Sequence, residues 1–251
     1  MAGHAEAQEP GRFTLDLLEH GGPRKGVPQS IDTRLFVQLA VFTGCLDPAP
    51  IERTLRGAGL DAVLYASVTD PRGVAVAVMS ERPEVFVREM RTMLTERAFA
   101  ELTPLPDFTM FGRTYAIGRE PDLEDWLLRK VPRAALDPSH RWAVWYPLRR
   151  TGAFSKLSRE DQGKIMAEHA TIGRAYGEAG HVQDIRLECH GLDRDDNEFV
   201  IGLVGPELFP LSKLVKDMRP TRQTSEFIQS MGPFFVGRAL YQSPIRHDPR
   251  P

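Results

Sequence analysis

His169 is the side chain in this 251-residue sequence whose type and setting best suit a metal. It falls in a stretch of helical periodicity, on one face with Ile165, Ile172 and Tyr176, because residues three and four positions apart are neighbours on a helix. A neutral imidazole among apolar side chains is either a core histidine with one satisfied hydrogen bond or the axial ligand of a haem iron. The sequence leaves both interpretations open.

A tyrosine and two arginines stand near the end of an aromatic strand. Strand alternation places Trp142, Tyr146 and Leu148 on one face, and Arg149 and Arg150 follow directly. The segment is either an ordinary aromatic strand closed by a solvated basic pair, or a phenol and guanidinium beside an anionic ligand. The second interpretation rests on the ability of arginine to pair a carboxylate through two parallel hydrogen bonds.

Charged and apolar residues alternate in a later strand, over residues 184–190. The apolar residues share one face, and the other face carries Asp184, Arg186, Glu188 and His190. Such a face is either the solvated outer side of the sheet or the wall of an unusually polar cavity.

Composition and motifs exclude several other kinds of chemistry. The chain has 32 Lys and Arg against 34 Asp and Glu, a net charge of −2, so we expect no nucleic-acid partner. Cys45 and Cys189 lack zinc-site spacing and are expected to be reduced and buried. We find no Walker loop, Rossmann fingerprint or nucleophile elbow. No apolar stretch approaches the roughly 20 residues that cross a bilayer, and residues 1–10 lack an apolar signal core, so we expect a cytoplasmic protein.

The elements that position these residues follow a strand–helix–strand–strand–helix–strand order that occurs twice. The first copy has predicted strands at 34–44, 61–68, 73–79 and 108–117 and helices at 49–57 and 83–97. The second has predicted strands at 142–148, 182–190, 198–204 and 233–241 and helices at 158–176 and 207–218. Ser158 with Asp161 three residues later indicates the cap of the long helix. The pattern predicts two ferredoxin-like units that share one sheet or barrel.

The same pattern divides the chain into four parts. Residues 1–32 are rich in Gly, Pro and charge, and we expect a mobile arm that packs against the body or a neighbouring subunit. Residues 33–118 form the first repeat, 119–139 a Pro- and charge-rich connection, and 140–242 the second repeat, which contains the candidate residues above.

Several stretches of the second repeat resemble the chlorite dismutase superfamily and, within it, the coproheme decarboxylases. In order, they are Trp145-Tyr-Pro-Leu148, Met166-Ala-Glu-His-Ala-Thr-Ile-Gly-Arg174, Gly191-Leu-Asp193 with Glu198-Phe199, Met218-Arg219 and Gly232-Pro-Phe-Phe-Val-Gly237. They cover about residues 140–240, whereas the first half matches by element order alone. The resemblance implies an α+β fold of tandem ferredoxin-like repeats forming a dimeric α+β barrel. It also implies a homo-oligomer, often a pentamer, with haem in the C-terminal half.

The resemblance also implies roles for individual residues. His169 corresponds to the proximal iron ligand and Tyr146 to a tyrosine that coproheme decarboxylases oxidise to a radical. Arg150 stands where many relatives have a lysine near the reacting propionate, with Arg149 as a neighbouring cation, and Thr224 stands where a hydroxyl contacts another propionate. We expect further cofactor contacts from Leu148, Phe154 and Arg186. The implied reaction converts two propionates of iron coproporphyrin III to vinyl groups with hydrogen peroxide, giving haem b and carbon dioxide.

Two positions depart from the family pattern. Asp184 aligns with the position above the iron, which is an arginine in chlorite-decomposing members, and Phe154 replaces a tryptophan. A carboxylate at 184 could act as acid or base on peroxide, but it would repel chlorite unless protonated or paired with Arg186, so we do not expect chlorite dismutation. The alternatives are a haem-dependent peroxidase or oxygenase that acts on another small substrate, a haem carrier or sensor, and a haem-free barrel.

Overall fold

The computed structural model describes residues 15–245. Its N-terminal half contains β1 (Glu19–Arg24), β2 (Val27–Ile31), β3 (Phe36–Thr43), α1 (Ala49–Ala58), β4 (Asp61–Ser67), β5 (Val74–Ser80), α2 (Glu84–Val87), α3 (Glu89–Leu94), β6 (Thr103–Pro104) and β7 (Met110–Arg113). A π-helical turn at Asp125–Arg129 and α4 (Lys130–Ala135) follow. The C-terminal half contains β8 (Trp142–Arg150), α5 (Gly152–Ser155), α6 (Arg159–Glu178), β9 (Gln183–Glu188), β10 (Phe199–Gly205), α7 (Leu208–Met218), a second π-helical turn at Gln223–Phe227, β11 (Ile228–Met231) and β12 (Phe235–Gln242).

Eight antiparallel strands from both halves close into one ring. The order is β10–β9–β7–β3–β5–β4–β12–β8, and β8 pairs with β10 to complete the circle. Most neighbours pair over four or more residues, but β7 and β9 meet at a single pair, Arg113 with Glu188. The two repeats therefore form one barrel, which is the fold class that the sequence predicted, and this narrow junction is its seam.

Strand alternation sends one set of side chains into the barrel. In β8, Ala143 and Trp145 point to this interior, and Gly202 of β10 leaves the space that the Trp145 ring fills, since a Cβ there would lie 2.6 Å from the ring. Each half contributes, as the rings of Tyr65 and Phe235 show with centroids 6.2 Å apart. The interior core thus belongs to both repeats together.

Helices cover the outer face of each half of the barrel. On the first repeat, α1, α2 and α3 pack on the sheet through a continuous apolar layer that includes Phe42, Ile51, Leu55, Met90, Met93 and Phe99. On the second repeat, α6 and α7 cover the outer faces of β8, β9 and β10. Helix α6 begins as predicted, with the Ser158 hydroxyl accepting a hydrogen bond from the Asp161 amide at 3.1 Å. Of its 20 residues only Ile165 is fully buried.

The predicted elements differ from the observed ones in several places, and the short elements β6 and α5 were not predicted. The helix expected at 83–97 is two short helices that break at Arg88, whose backbone φ and ψ are −117° and −84°. The strand expected at 108–117 is limited to β7. No element was assigned to the connection 119–139, but it contains a π-helical turn and α4, which bury Leu127 and Val131 against the barrel interior. Strand β11 was not predicted.

The predicted N-terminal arm lies partly outside the described residues, which begin at residue 15. Its described part forms the hairpin of β1 and β2, which packs on the connection: the Gly22 amide donates to the Glu120 carbonyl at 3.0 Å. The thiols of Cys45 and Cys189 are buried and free, as expected. Within residues 15–245 we find no helix of the length and apolarity that a membrane span requires.

Candidate functional site

A cavity of about 320 Å³ lies between α6 and α7 on one side and the outer faces of β8, β9 and β10 on the other. Its body is apolar, because alternation turns side chains of β8 and β10 toward the helices and α7 adds its own apolar residues. These include Leu148, Ile201, Leu203, Leu214, Val215 and Met218. The polar groups are confined to a few positions on separate walls, an arrangement typical of sites that orient a mainly apolar ligand.

His169 reaches this cavity from α6. Burial lowers the pKa of its imidazole to about 4, and the positive charge of Arg186 adds to the effect. The imidazole is therefore neutral at pH 7, the form that binds metals. Its Nδ1 is buried and has no hydrogen-bond partner among the described residues. A satisfied core histidine, the simpler interpretation of the sequence, would have such a partner.

The charged face of β9 forms one wall of the cavity. This wall holds most of the charged side chains that line the cavity. Asp184, Arg186 and Glu188 line the cavity, while the alternating Ile185 and Leu187 point into the barrel. The charged face of β9 is therefore not a solvated outer face, which was one of the two interpretations of the sequence. The strand is covered by helices, and its polar side chains face the enclosed space between the layers.

Asp184 is held by two cations. Its Oδ1 lies 3.3 Å from Lys130 Nζ, and its Oδ2 forms an ion pair with Arg186 Nε. Burial by itself would raise the pKa of Asp184, but Arg186 and Lys130 outweigh it and hold the pKa below its usual range. The carboxylate is therefore ionised at neutral pH. Arg186 and Glu188 line the cavity beside it, and Lys130 lies behind it, so the wall is charged but carries no net positive charge.

Arg150 approaches from the end of β8. Its Nε donates to Glu198 Oε2 at 2.9 Å, and its guanidinium lies over the rings of Phe154 and Phe199, 4.3 and 4.7 Å from their centroids. The flat guanidinium is thereby fixed between two aromatic faces. Phe154 and Phe199 also line the cavity.

Two phenols complete the polar groups near Arg186. Tyr146 of β8 stacks on Phe234 with centroids 4.6 Å apart, and burial raises its pKa to about 12. Tyr115, in the segment after β7, also lines the cavity, and burial raises its pKa to about 12 as well. Both phenols keep their protons throughout the neutral range.

The second π-helical turn supplies an amide and a hydroxyl at another part of the cavity. Gln223 is 8% exposed, and its Oε1 has no partner among the described residues. Thr224 lines the cavity beside it, and its Oγ1 accepts from the Thr221 hydroxyl at 3.3 Å. The buried Gln223 oxygen leaves a hydrogen-bond acceptor available to a ligand.

The structure brings most of the sequence-predicted site residues together. One cavity is lined by Tyr146, Leu148, Arg150, Phe154, His169, Asp184, Arg186 and Thr224. Arg149 is the exception. Alternation turns it to the opposite face of β8, where its Nη1 donates to the Asp195 carbonyl at 3.1 Å, and we therefore remove it from the site. His190 is exposed and does not line the cavity.

Sequence reasoning missed Tyr115, Lys130 and Gln223. Lys130 lies 54 positions from Asp184 in the chain, and no periodicity of its own segment points to that contact. The one available signal for Tyr115 was an aromatic residue near the end of the predicted strand 108–117. Gln223 carried no signal, because a π-helical turn has no sequence pattern that we used.

The site fits a metal that brings most of its own ligands. Within residues 15–245 no group of three His, Cys, Asp or Glu side chains is placed to hold an ion. His169 supplies one nitrogen, the body of the cavity is apolar, and Arg150 and Arg186 supply guanidinium groups. These features suit a metal macrocycle with acidic substituents.

Comparison with known proteins first establishes the class. A haem-binding protein from Thermus thermophilus superposes with a TM-score of 0.65 at 18% identity, covering 83% of this chain and 92% of that one. The chlorite dismutase of Candidatus Nitrospira defluvii in complex with imidazole superposes with a TM-score of 0.63 at 15% identity, covering 85% and 93%. The chain therefore has the chlorite dismutase fold, with its ferredoxin-like repeats.

Sequence comparison then finds similarity to one protein family in the C-terminal half. Residues 127–240 match the family model described as chlorite dismutase. The coproheme decarboxylase of Staphylococcus carnosus (strain TM300) is 31% identical over 107 residues, which are 41% of this chain and 41% of that protein. The match thus spans less than half of the relative's length. Together with the fold, these matches support a relationship of the C-terminal half to the chlorite dismutase superfamily.

Proposed function

We propose that the cavity binds an iron porphyrin and that the chain is a peroxide-dependent coproheme decarboxylase. The observation that carries the proposal is the neutral His169 imidazole, with an unpartnered Nδ1, facing a cavity that also presents a phenol and two guanidinium groups. The family, and its 31% identical coproheme decarboxylase, support the same assignment. In this proposal iron coproporphyrin III is the substrate and haem b the product.

Each proposed residue has a physical task. His169 would hold the iron through its neutral imidazole, and Leu148 and the other apolar residues would exclude water from the porphyrin faces. Arg150, fixed between two aromatic rings, would orient a propionate, because a guanidinium held in place loses little entropy on pairing. Thr224 would donate a hydrogen bond to another carboxylate. With hydrogen peroxide, the bound iron supplies the oxidising equivalents.

Tyr146 is the proposed hydrogen-transfer residue. Its protonated, buried phenol would give up a hydrogen atom and then recover one from the propionate carbon that is bonded to the porphyrin ring. For each propionate, one peroxide and one proton are consumed, and a vinyl group, one carbon dioxide and two waters are formed. Asp184 is ionised and bound by two cations, so we assign it the positioning of Arg186 rather than proton transfer.

The wall formed by Lys130, Asp184 and Arg186 favours a second candidate function. A polar, hydrogen-bonding wall beside the porphyrin could hold a separate small substrate, as in a haem-dependent peroxidase or oxygenase that keeps haem b as a fixed cofactor. That candidate predicts that haem b stays bound through turnover and that coproheme is not decarboxylated.

The test is an anaerobic titration of the purified chain with iron coproporphyrin III, followed by hydrogen peroxide and mass analysis of the porphyrin. We expect tight binding with a Soret shift, then stepwise loss of two carboxyl groups. His169→Ala should abolish the axial-imidazole signature, with exposed His190→Ala as control. Tyr146→Phe should bind but give no vinyl product.

Tyr176→Phe is the matched control for Tyr146, since that phenol donates to Asp217 at 2.7 Å outside the cavity. Binding without decarboxylation by the unaltered chain would favour the second candidate. If the chain bound neither iron coproporphyrin III nor, in a parallel titration, haem b, both candidate functions would be contradicted. The haem-free barrel would then remain. We also propose that the chain is a cytoplasmic homo-oligomer, and we expect a pentamer. Light scattering during size-exclusion chromatography of the purified protein measures the number of subunits.

A further inference from the structure

The hairpin of β1 and β2 is fastened to the segment that closes one side of the cavity. The side chain of Gln29 donates to the carbonyls of Gly22 and Glu120, at 2.6 and 3.1 Å, and accepts from the Leu123 amide at 3.2 Å. Glu120 is 3% exposed, and its carboxylate accepts from the amides of Ile117 and Arg119. The hairpin therefore has a defined place next to residues 115–123.

Glu19 in β1 makes the contact nearest to the cavity. Its Oε1 accepts from Arg34 Nε and from Arg113 Nη1, both at 3.1 Å, and its Oε2 accepts from the Ala116 amide at 2.9 Å. Its side chain is 13% exposed. A carboxylate with three donors in a mostly buried setting is a strong local constraint, because hydrogen bonds to charged groups are the stronger ones.

Two of these partners, Arg113 and Ala116, lead to the barrel seam and to the cavity. Arg113 also donates through Nη2 to Glu188 Oε2 at 2.9 Å, at the one residue pair that joins β7 to β9. Glu188 lines the cavity, and so do Tyr115 and Ala116. Glu19 thus reaches one wall of the cavity by two independent connections, one through a side chain and one through the backbone.

We propose that Glu19 is a positioning residue that sets the shape of the cavity wall formed by Tyr115, Ala116 and Glu188. It does so from a hairpin that contributes no side chain to the cavity itself. The part of the inference that concerns a porphyrin rests on the proposed function, whereas the part that concerns the wall stands on these contacts alone.

The proposal requires a carboxylate at this position and not merely a polar side chain of the same shape. All three partners of Glu19 are donors, so a glutamine would have to turn its NH₂ group toward a donor on one side. Either the Ala116 amide or the two guanidinium groups would lose their acceptor. Arg113 would then be free to shift toward Glu188, and the seam would loosen.

The experiment compares Glu19→Gln with Asp32→Asn in the full chain. Asp32 accepts from Arg34 Nη1 at 3.1 Å and is 71% exposed, so its substitution removes a carboxylate from the same arginine without touching Arg113 or Ala116. Hydrogen exchange is measured on the porphyrin-free protein over residues 113–118. The same proteins are then titrated with iron coproporphyrin III.

We expect the Ala116 amide to exchange about 10-fold faster or more in Glu19→Gln, since it loses a charged acceptor. We expect porphyrin affinity to fall about 3-fold to 10-fold, with exchange elsewhere in the barrel and both properties of Asp32→Asn unchanged. Unaltered exchange at 113–118 in a folded Glu19→Gln protein would overturn the proposal. So would faster exchange that spreads over the whole barrel, which indicates general destabilisation.

A second variant keeps the test valid if Glu19→Gln does not fold. Arg113→Lys retains the charge, but an ammonium group cannot bridge Glu19 and Glu188 in the way that the guanidinium fork does. It should also accelerate exchange at 113–118. If the unaltered chain binds no porphyrin, the proposed function fails, while the exchange measurement still decides whether Glu19 holds the wall.

Discussion

The two repeats place helices on the same barrel in the same way, yet one helix–sheet layer is solid and the other is hollow. In the first repeat, α1 has 10 residues and buries Ile51 and Leu55 in a layer filled by aromatic and sulfur-containing side chains. In the second, α6 is twice as long and fully buries only Ile165. Where the first layer has apolar side chains, the second has His169 and Gly173 facing a cavity.

The difference shows how one architecture separates stability from chemistry. A filled layer contributes buried apolar area, whereas a hollow one gives that contribution up in exchange for space and polar groups. In the second layer, ion pairs such as Asp184 with Arg186 and Arg150 with Glu198 hold the polar side chains in place. The first repeat and the shared barrel interior therefore carry most of the stability of the chain.

The largest expected effect comes from opening the solid layer. Phe99 is 3% exposed, and its ring centroid lies 5.7 Å from that of Phe42. Phe99→Ala should lower the free energy of unfolding by about 3–5 kcal/mol, measured by urea denaturation, because it leaves a cavity in packed surroundings. Porphyrin titration of the folded variant should be unchanged. Phe209→Ala, at a residue that is 72% exposed, is the control. Loss of porphyrin binding in folded Phe99→Ala would show that the two layers are coupled.

A smaller effect should follow from removing a charge in the hollow layer. Asp184→Asn leaves Lys130 and Arg186 without their carboxylate and should cost about 1–3 kcal/mol at pH 7, since the site is partly accessible to water. The pKa of Asp184 is lowered in the folded chain, so its stabilisation is complete above the unfolded value of 3.8 and is lost as pH falls below it.

The difference between the two proteins in urea denaturation should therefore be largest at pH 5–7 and shrink near pH 3. Asp107→Asn, which removes an exposed ion pair with Arg194 outside the cavity, should change little at any pH. A pH-independent difference for Asp184→Asn would mean that packing, and not charge, is responsible for its effect.

The smallest effect should come from partly filling the hollow layer. Gly173 lines the cavity, and a Cβ there would meet only Met218 Cε at 3.5 Å, an ordinary contact. Gly173→Leu should raise helix stability by about 0.5–1 kcal/mol while lowering porphyrin affinity about 10-fold. Gly163 has open space around it and does not line the cavity. The variant Gly163→Leu should therefore gain stability without a change in porphyrin affinity. Equal affinities in both variants would place the porphyrin elsewhere.

The strand and helix order was predictable because it depends on local periodicity. Both repeats and the Ser158 cap follow from patterns of two and 3.6 residues and from turn chemistry, whereas the closed barrel was implied by the family resemblance. The grouping of Tyr146, Arg150 and His169 around one cavity also followed, in part from strand faces and in part from the resemblance. Their roles in catalysis stay predictions.

The remaining features depend on contacts that periodicity does not encode. The polar face of β9 read as solvated because the sequence does not show that helices cover it. Arg149 was included although alternation alone turns it away from Tyr146, which was an avoidable error. Lys130 was missed because charge and proline obscured the helical part of the connection, and Tyr115 because its neighbouring ring, Phe199 of β10, is distant in the sequence.

Both repeats contribute to the barrel interior, and this limits which parts of the chain recombination could separate. The residues that match the family and nearly all of the proposed site lie in the C-terminal half, yet that half ends in an unfinished sheet. Without β4 and β7, the inner faces of β12 and β9 would present Phe235 and Leu187 to water. The proposed site therefore cannot be transferred by the C-terminal half alone. Recombination that moved only this half would carry the proposed functional residues without the first repeat, which they need in order to fold.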